Sequence, residues 1–284
     1  MFEDVNRPGR IGTLAVPNRI VMGSVRLGFE ARDDDGKVLG AFYAERVRDG
    51  AGLIITEGSA VDRAGAAGGR DGLINEQSDA LRLRRVAEEV HAAGGRIALQ
   101  LSHAGRYADG THADGEPREM SEEDIWKTVA LFARGAFRAS QLGFDGVEVT
   151  ASADSLIDRF LSPLTNRRSD DWGGDAARRR RFGMEILRAI RRMLGPDLPV
   201  IFRISGTDPT EGGAAHEETL AFARALAHES VDALNVEAPA RYAAAIKNAV
   251  GSLPVIAGDP VDTLAVAESI LATQSVDFVS LTHS

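Results

Sequence analysis

Residues 94–106 run Gly94-Gly95-Arg96-Ile97-Ala98-Leu99-Gln100-Leu101-Ser102-His103-Ala104-Gly105-Arg106. A short apolar run, Ile97-Ala98-Leu99, follows two glycines and leads directly into polar residues. Runs this short, bounded by Gly, Pro or Asp, suit parallel strands buried on both faces. Seven others share the pattern: Ile20-Val21-Met22, Leu53-Ile54-Ile55, Val147-Glu148-Val149, Val200-Ile201-Phe202, Ala233-Leu234-Asn235-Val236, Val255-Ile256-Ala257 and Phe278-Val279-Ser280-Leu281. Longer amphipathic stretches separate them. Between residues 121 and 142, Phe132, Ala136 and Ala139 share one helical face. Ser121 with Asp124 resembles a capping box that satisfies free N–H groups of the first turn. Residues 176–194 read as another such helix. Eight β/α alternations without a Pro/Ser-rich linker predict an α/β fold of the (β/α)8 TIM barrel type rather than a doubly wound sheet, with residues 1–284 as one domain.

Only Thr282, His283 and Ser284 follow the eighth run, so the barrel is expected to be truncated after strand eight, with no eighth helix. The groove that such a helix covers is then expected to expose apolar surface, and a homo-oligomer is expected to cover it.

The 284 residues are 44% hydrophobic and 26% charged, a balance that supports a large core and fits neither disorder nor a membrane span. With 33 basic and 42 acidic residues the formal net charge is -9, which opposes attraction to nucleic acid or anionic membranes and leaves small molecules as the expected partners. The chain has no cysteine, which excludes a disulfide, a thiolate nucleophile and a cysteine-ligated iron-sulfur cluster. Met1-Phe2-Glu3-Asp4 has neither the basic start nor the apolar run of a signal peptide, so the expected location is the cytoplasm.

In a barrel the site lies where the strands end, so the polar residues after each apolar run are its candidates. Strand one leads into Gly23-Ser24-Val25-Arg26, strand two into Glu57-Gly58, strand three into Gln100 to Arg106, strand four into Thr150 and Asp154, and strand five into Arg203-Ile204-Ser205-Gly206. Gln100 and Arg203 are the sharpest features: an amide and a guanidinium facing one pocket suit a planar ring bearing carbonyl and imide groups. For each the competing role is structural, tying strands to loops or pairing with a carboxylate. His103 offers an acid, a base or a hydrogen-bond donor, against the commoner role of a packed, satisfied side chain. No His/Asp/Glu spacing specifies a metal site. Ser24 and Ser102 lack a nucleophile elbow, no Walker loop is present, and the glycines between Gly65 and Gly72 lack the context of a dinucleotide fingerprint. The arginines from Arg178 to Arg181 read either as an anion site or, more simply, as the basic face of a surface helix.

These segments together resemble the old yellow enzyme family, nearest to the barrel domain of its 2,4-dienoyl-CoA reductase and trimethylamine dehydrogenase branch. The carriers are Asn18-Arg19-Ile20-Val21-Met22-Gly23-Ser24, Ala41-Phe42-Tyr43-Ala44-Glu45-Arg46, the stretch from Gly94 to Arg106, and above all Phe160-Leu161-Ser162-Pro163-Leu164-Thr165-Asn166-Arg167-Arg168-Ser169-Asp170-Asp171-Trp172-Gly173-Gly174. The resemblance implies bound FMN, NAD(P)H as reductant, and reduction of an activated alkene or enone. It places Gln100 and Arg203 at the flavin pyrimidine edge, with Ser24 and Glu57-Gly58 beside the ring.

The chain departs from the pattern elsewhere. After strand four, Thr150, Ala153, Asp154 and Ser155 replace the family's carbonyl-polarising pair and its tyrosine proton donor. The segment after strand six, Glu237-Ala238-Pro239-Ala240-Arg241-Tyr242, leaves out a substrate loop. Gly258 matches a phosphate-binding backbone position, but Thr282 and His283 stand where the family has an arginine. An arginine–phosphate contact contributes about 1.5–3 kcal/mol, so its loss implies FMN held roughly one to two decades more weakly, or lost.

The first functional reading is an FMN-dependent ene-reductase-like oxidoreductase with a rearranged proton donor, Asp154, His103 or water. The second is a flavin-free relative performing isomerisation, cyclisation or elimination in a biosynthetic pathway. In it Asp154 is the acid or base and Arg26, His103 and Arg203 polarise a carbonyl or enolate; against this, Asp154 also reads as a helix cap. The third is a non-catalytic binding subunit.

Overall fold

All eight expected runs are strands, and they close into one parallel barrel in chain order. The computed structural model describes residues 2–27, 35–66, 72–105, 119–152, 155–206 and 213–281. A short helix α1 (Glu3–Asn6) and an antiparallel hairpin, β1 (Gly9–Ile11) with β2 (Leu14–Val16), precede the barrel. The barrel strands are β3 (Ile20–Met22), β4 (Leu53–Ala60), β5 (Arg96–Ser102), β6 (Gly146–Ala151), β7 (Val200–Ser205), β8 (Ala233–Glu237), β9 (Val255–Val261) and β10 (Phe278–Leu281). Closure comes from β10 pairing with β3, Val279 opposite Ile20 and Ser280 opposite Val21.

The connecting segments supply α2 (Lys37–Arg48), α3 (Gln77–Ala92), α4 (Glu122–Gln141), α5 (Leu156–Leu161), α6 (Ala176–Arg179), α7 (Arg181–Leu194), α8 (His216–His228), α9 (Ala240–Val250) and α10 (Leu264–Ala272). The Ser121 capping box is present: Asp124 N–H donates to Ser121 Oγ at 3.1 Å and Ser121 N–H to Asp124 Oδ2 at 3.2 Å. The helix expected over 176–194 is interrupted at Arg180. The neighbouring Arg179 leaves the basic face and is buried, donating to Leu161 O at 2.9 Å, to Gly174 O at 2.7 Å and to Glu218. Among the described residues no helix is long and apolar enough to cross a membrane.

Two apolar layers follow from strand alternation. Residues such as Ile54, Leu99, Val149 and Phe202 face the helices, while Val21, Leu53, Ala98, Ile201, Ile256 and Phe278 fill the barrel. The β1–β2 hairpin was not expected. Its Ile11 and Val16, 0% and 1% exposed, join the inner layer and plug the end of the barrel where the strands begin.

That end is also laced by one repeated device. Asp145, Asp232 and Asp277, each just before a strand, accept the N–H of Ile97, Val200 and Val255 in the preceding strand at 2.8, 2.7 and 2.9 Å. Each aspartate also meets a nitrogen-bearing side chain from a helix: His91, Arg191 or Lys247 respectively. The stretch from Phe160 to Gly174 is folded around Asn166, whose Nδ2 donates to Phe160 O at 2.7 Å and to Trp172 O at 2.8 Å. Its sequence specificity is therefore at least partly structural.

Candidate functional site

Two residues beyond Val21, Ala98, Ile201, Ala233 and Ile256, strand period brings Gly23, Gln100, Arg203, Asn235 and Gly258 to the inner face near the strand ends. The barrel interior thus turns from apolar to polar along its axis. In β4 the register slips between Ile55 and Gly58, so that Ile55 pairs with Ala98 and Gly58 with Gln100. This bulge re-aims the strand end. Thr56 Oγ1 accepts the Gln100 N–H at 3.2 Å, Glu57 N–H donates to the Tyr43 hydroxyl at 2.9 Å, and Gly58 comes beside the Gln100 side chain.

A hydrogen-bonded chain links the segment after β3 to β5, β6 and β8. Ser24 Oγ donates to Gln100 Oε1 at 3.0 Å, Gln100 Nε2 donates to Glu148 Oε1 at 2.8 Å, and Asn235 Nδ2 donates to Glu148 Oε2 at 2.7 Å. Beside it, Arg203 Nη2 donates to Glu237 Oε1 at 2.9 Å, and Ser152 Oγ donates to Glu237 Oε2 at 2.6 Å. Burial pushes the Glu148 carboxyl above its ordinary value, against the pull of Arg203 and of its two amide donors. For Glu237 burial pushes the same way, but the hydrogen bond and charge of Arg203 outweigh it and hold that carboxyl low. Burial works against the Arg203 charge too, and Glu148 with Glu237 overcomes it.

Ser24, Gly58, Gln100 and Arg203 therefore come together, on a frame of Glu148, Asn235 and Glu237. Two buried oxygens in this region, Asn235 Oδ1 and Thr150 Oγ1, have no hydrogen-bond partner among the described residues. Thr150 pairs with Arg203 in the β6–β7 register. Gly258 lies against Asn235 and Val236: a Cβ there would sit 2.1 Å from Asn235 Oδ1 and 2.9 Å from Val236 O, so packing demands glycine.

His103 sits apart from this chain. Gly105 N–H donates to its Nδ1 at 3.1 Å, its Nε2 is 3.7 Å from Asp62 Oδ1, and Gly65 packs on its ring. Burial lowers its pKa, with Asp62 opposing, so the ring is neutral near pH 7 and carries its proton on Nε2. Arg26 is exposed on the segment after β3. Asp154, Ala153, Arg106, Thr282 and His283 lie outside the described residues. Of the basic run, Arg178 and Arg181 line a groove of about 610 Å³ and face Asp175 at 3.7 Å and Asp171 at 3.3 Å, a solvated, paired arrangement.

Glu148 and Asn235 did not figure among the sequence candidates. Both lie inside apolar runs rather than after them, and the signal available was a lone carboxylate or amide flanked by Val or Leu.

Residues 4–270 match the model of the NADH:flavin oxidoreductase / NADH oxidase family. A metal reductase of Desulforamulus reducens is 39% identical over 98% of this chain and 46% of its own length. An NADH oxidase of Thermoanaerobacter brockii is 33% identical over 99% and 48%. This chain thus spans about half the length of these two relatives. An NADPH dehydrogenase of Listeria monocytogenes is 33% identical over 80% of this chain and 71% of its own. Among solved structures, a 2-naphthoyl-CoA reductase in complex with 2-naphthoyl-CoA superposes with a TM-score of 0.90 at 26% identity, covering 99% of this chain and 50% of that one. Morphinone reductase superposes with a TM-score of 0.84 at 26% identity, covering 99% and 86%. With its closed parallel barrel and the row of polar groups at the strand ends, the chain belongs to the NADH:flavin oxidoreductase / NADH oxidase family, the old yellow enzymes.

Proposed function

We propose that this chain is an FMN-dependent oxidoreductase that draws reducing equivalents from NADH or NADPH and passes them to an activated alkene or enone. The observation that carries the reading is the Ser24–Gln100 pair beside Arg203. Together they present a hydroxyl, an amide and a guanidinium on the inner face where the barrel strands end. The residues fit the flavin in two further respects. Glycines stand where a side chain would intrude: a Cβ on Gly58 would lie 3.1 Å from Gln100 Oε1, and one on Gly23 would lie 2.8 Å from Ser280 Oγ. The Thr150 hydroxyl, without a hydrogen-bond partner among the described residues, remains to bond a ligand.

When bound, FMN supplies hydride transfer between nicotinamide and substrate. In this reading Gln100 and Arg203 hold its pyrimidine edge, Ser24 and Gly58 flank the ring, and Gly258 offers backbone toward the phosphate. Glu237 steadies the Arg203 guanidinium, and the Thr150 hydroxyl is available to the substrate. The proton needed on the substrate comes from Asp154 or from water. His103, held neutral and turned toward Asp62, is better suited to shaping the loop after β5 than to donating.

The test is a visible spectrum of the purified chain before and after excess FMN and removal of the unbound fraction, followed by anaerobic NADH and NADPH. A retained flavin band that bleaches with either nicotinamide is the expected result. A colourless protein that refuses added FMN overturns the reading.

A further inference from the structure

Glu148 is 0% exposed, on a strand where Val147 and Val149 are equally buried. An isolated carboxylate in that position costs stability unless every oxygen is satisfied. Both are: Oε1 takes the Gln100 amide N–H at 2.8 Å and Oε2 takes that of Asn235 at 2.7 Å. We propose that Glu148 is a positioning residue, whose carboxylate dictates which end of the Gln100 amide faces which way and, through Gln100, how firmly the chain holds the edge of a flat cofactor ring. The inference rests on the FMN reading above.

The logic is one of donors and acceptors. A side-chain amide is nearly symmetric in shape, so only its neighbours decide its orientation. A carboxyl group that accepts an N–H at both oxygens offers Gln100 no donor, so Gln100 must turn its NH₂ toward Glu148; the reverse would set two acceptor oxygens 2.8 Å apart. The Ser24 hydroxyl, 3.0 Å from Oε1, then meets the acceptor end. Each of these contacts uses half of one end. One N–H and one oxygen lone pair of Gln100 are left in a fixed order, a donor beside an acceptor. That pair complements a lactam or imide edge, which offers C=O beside N–H. A flipped Gln100 would present the same two groups in the opposite order and mismatch such an edge.

A neutral amide at 148 can donate as well as accept, so it permits both orientations of Gln100 while preserving volume. The experiment is a double-mutant cycle on FMN affinity, read by fluorescence quenching, with E148Q, Q100A and the double variant, each checked for folding by circular dichroism. E148Q is expected to weaken FMN roughly ten-fold or more, as for loss of a hydrogen bond to a charged group. Because Glu148 acts through Gln100, the double variant is expected to bind no more weakly than Q100A alone. If the losses multiply, or if E148Q binds like the wild type, this inference is overturned while the FMN reading stands. If the wild-type chain binds no FMN, both fall. Should E148Q fail to fold, N235A, which unlocks Glu148 Oε2, replaces it in the same cycle. The proposal then requires the same loss of additivity, and multiplying losses would overturn it.

Discussion

Arg203 and Glu237, on adjacent strands, are joined by Nη2–Oε1 and Nε–Oε2 contacts of 2.9 and 3.3 Å, a two-pronged pair that fixes the guanidinium plane. Ser152 completes the carboxylate's partners at 2.6 Å. A guanidinium so held needs no reorganisation to meet a ligand, which links the pair to the proposed chemistry.

The first prediction concerns that pair in acid. Glu237 is held below its ordinary carboxylate value, so its contribution is complete above that value and is lost as pH falls through the lowered one. E237Q is expected to cost about 1–2 kcal/mol at pH 7, near the low end for charge-assisted bonds because 36% of the Glu237 side chain meets solvent. Urea unfolding from pH 3 to 7 should show the gap between wild type and E237Q closing toward acid. A gap that stays constant would mean the pair does not titrate with folding.

Glu148 has the opposite sign. Its folded value is raised, so the native state holds its proton longer than the unfolded chain does, and stability falls as pH climbs from the ordinary carboxylate range through the raised value. E148Q removes that penalty. Its stability relative to wild type should therefore rise as pH climbs from the ordinary carboxylate range through the raised value, even as FMN affinity drops, a trade of stability for function. Melting temperatures across that range check it, and a relative stability that falls with pH would contradict it.

Most of the fold was legible because each barrel strand is buried on both faces and so appears as a bare apolar run. The hairpin was not, since three-residue strands with one fully buried residue each, Ile11 and Val16, show no period to detect. Nor was the interruption at Arg180, because a buried Arg179 and an exposed one look alike until Leu161 O and Gly174 O are in reach. At the site, Gln100 and Arg203 stood out as polar residues ending apolar strands. Glu148 was hidden by the same rule: two valines around it made the run look like ordinary core.

Asp232 tests the lacing at the opposite end of the barrel. It accepts the Val200 N–H at 2.7 Å and pairs with Arg191, which keeps Leu198 O at 2.9 Å and Ser230 O at 2.8 Å as other acceptors. D232A strands a strand-leading N–H and one charge whose remaining partners are intact. The expected cost is about 2–3 kcal/mol, with FMN affinity unchanged, because this face serves stability. A loss of FMN affinity in a variant that remains folded would show that the two ends are coupled.

Gly258 tests the frame under the site by steric means. Its backbone is not among the glycines with positive φ, so glycine is not required there by conformation. Space is what requires it: a Cβ would lie 2.1 Å from Asn235 Oδ1 and 2.9 Å from Val236 O. The backbone oxygen cannot swing away, and the amide can move only by leaving Glu148. G258A is therefore expected to cost about 2–3 kcal/mol, in the range of overpacked cores, and to weaken FMN by disturbing the Asn235–Glu148–Gln100 chain. Removing the amide relieves the worse clash but leaves the carbonyl one. The penalty of G258A measured in an N235A background should thus shrink without vanishing. Equal penalties in both backgrounds would place the strain at Val236 alone and release Asn235 from any part in it.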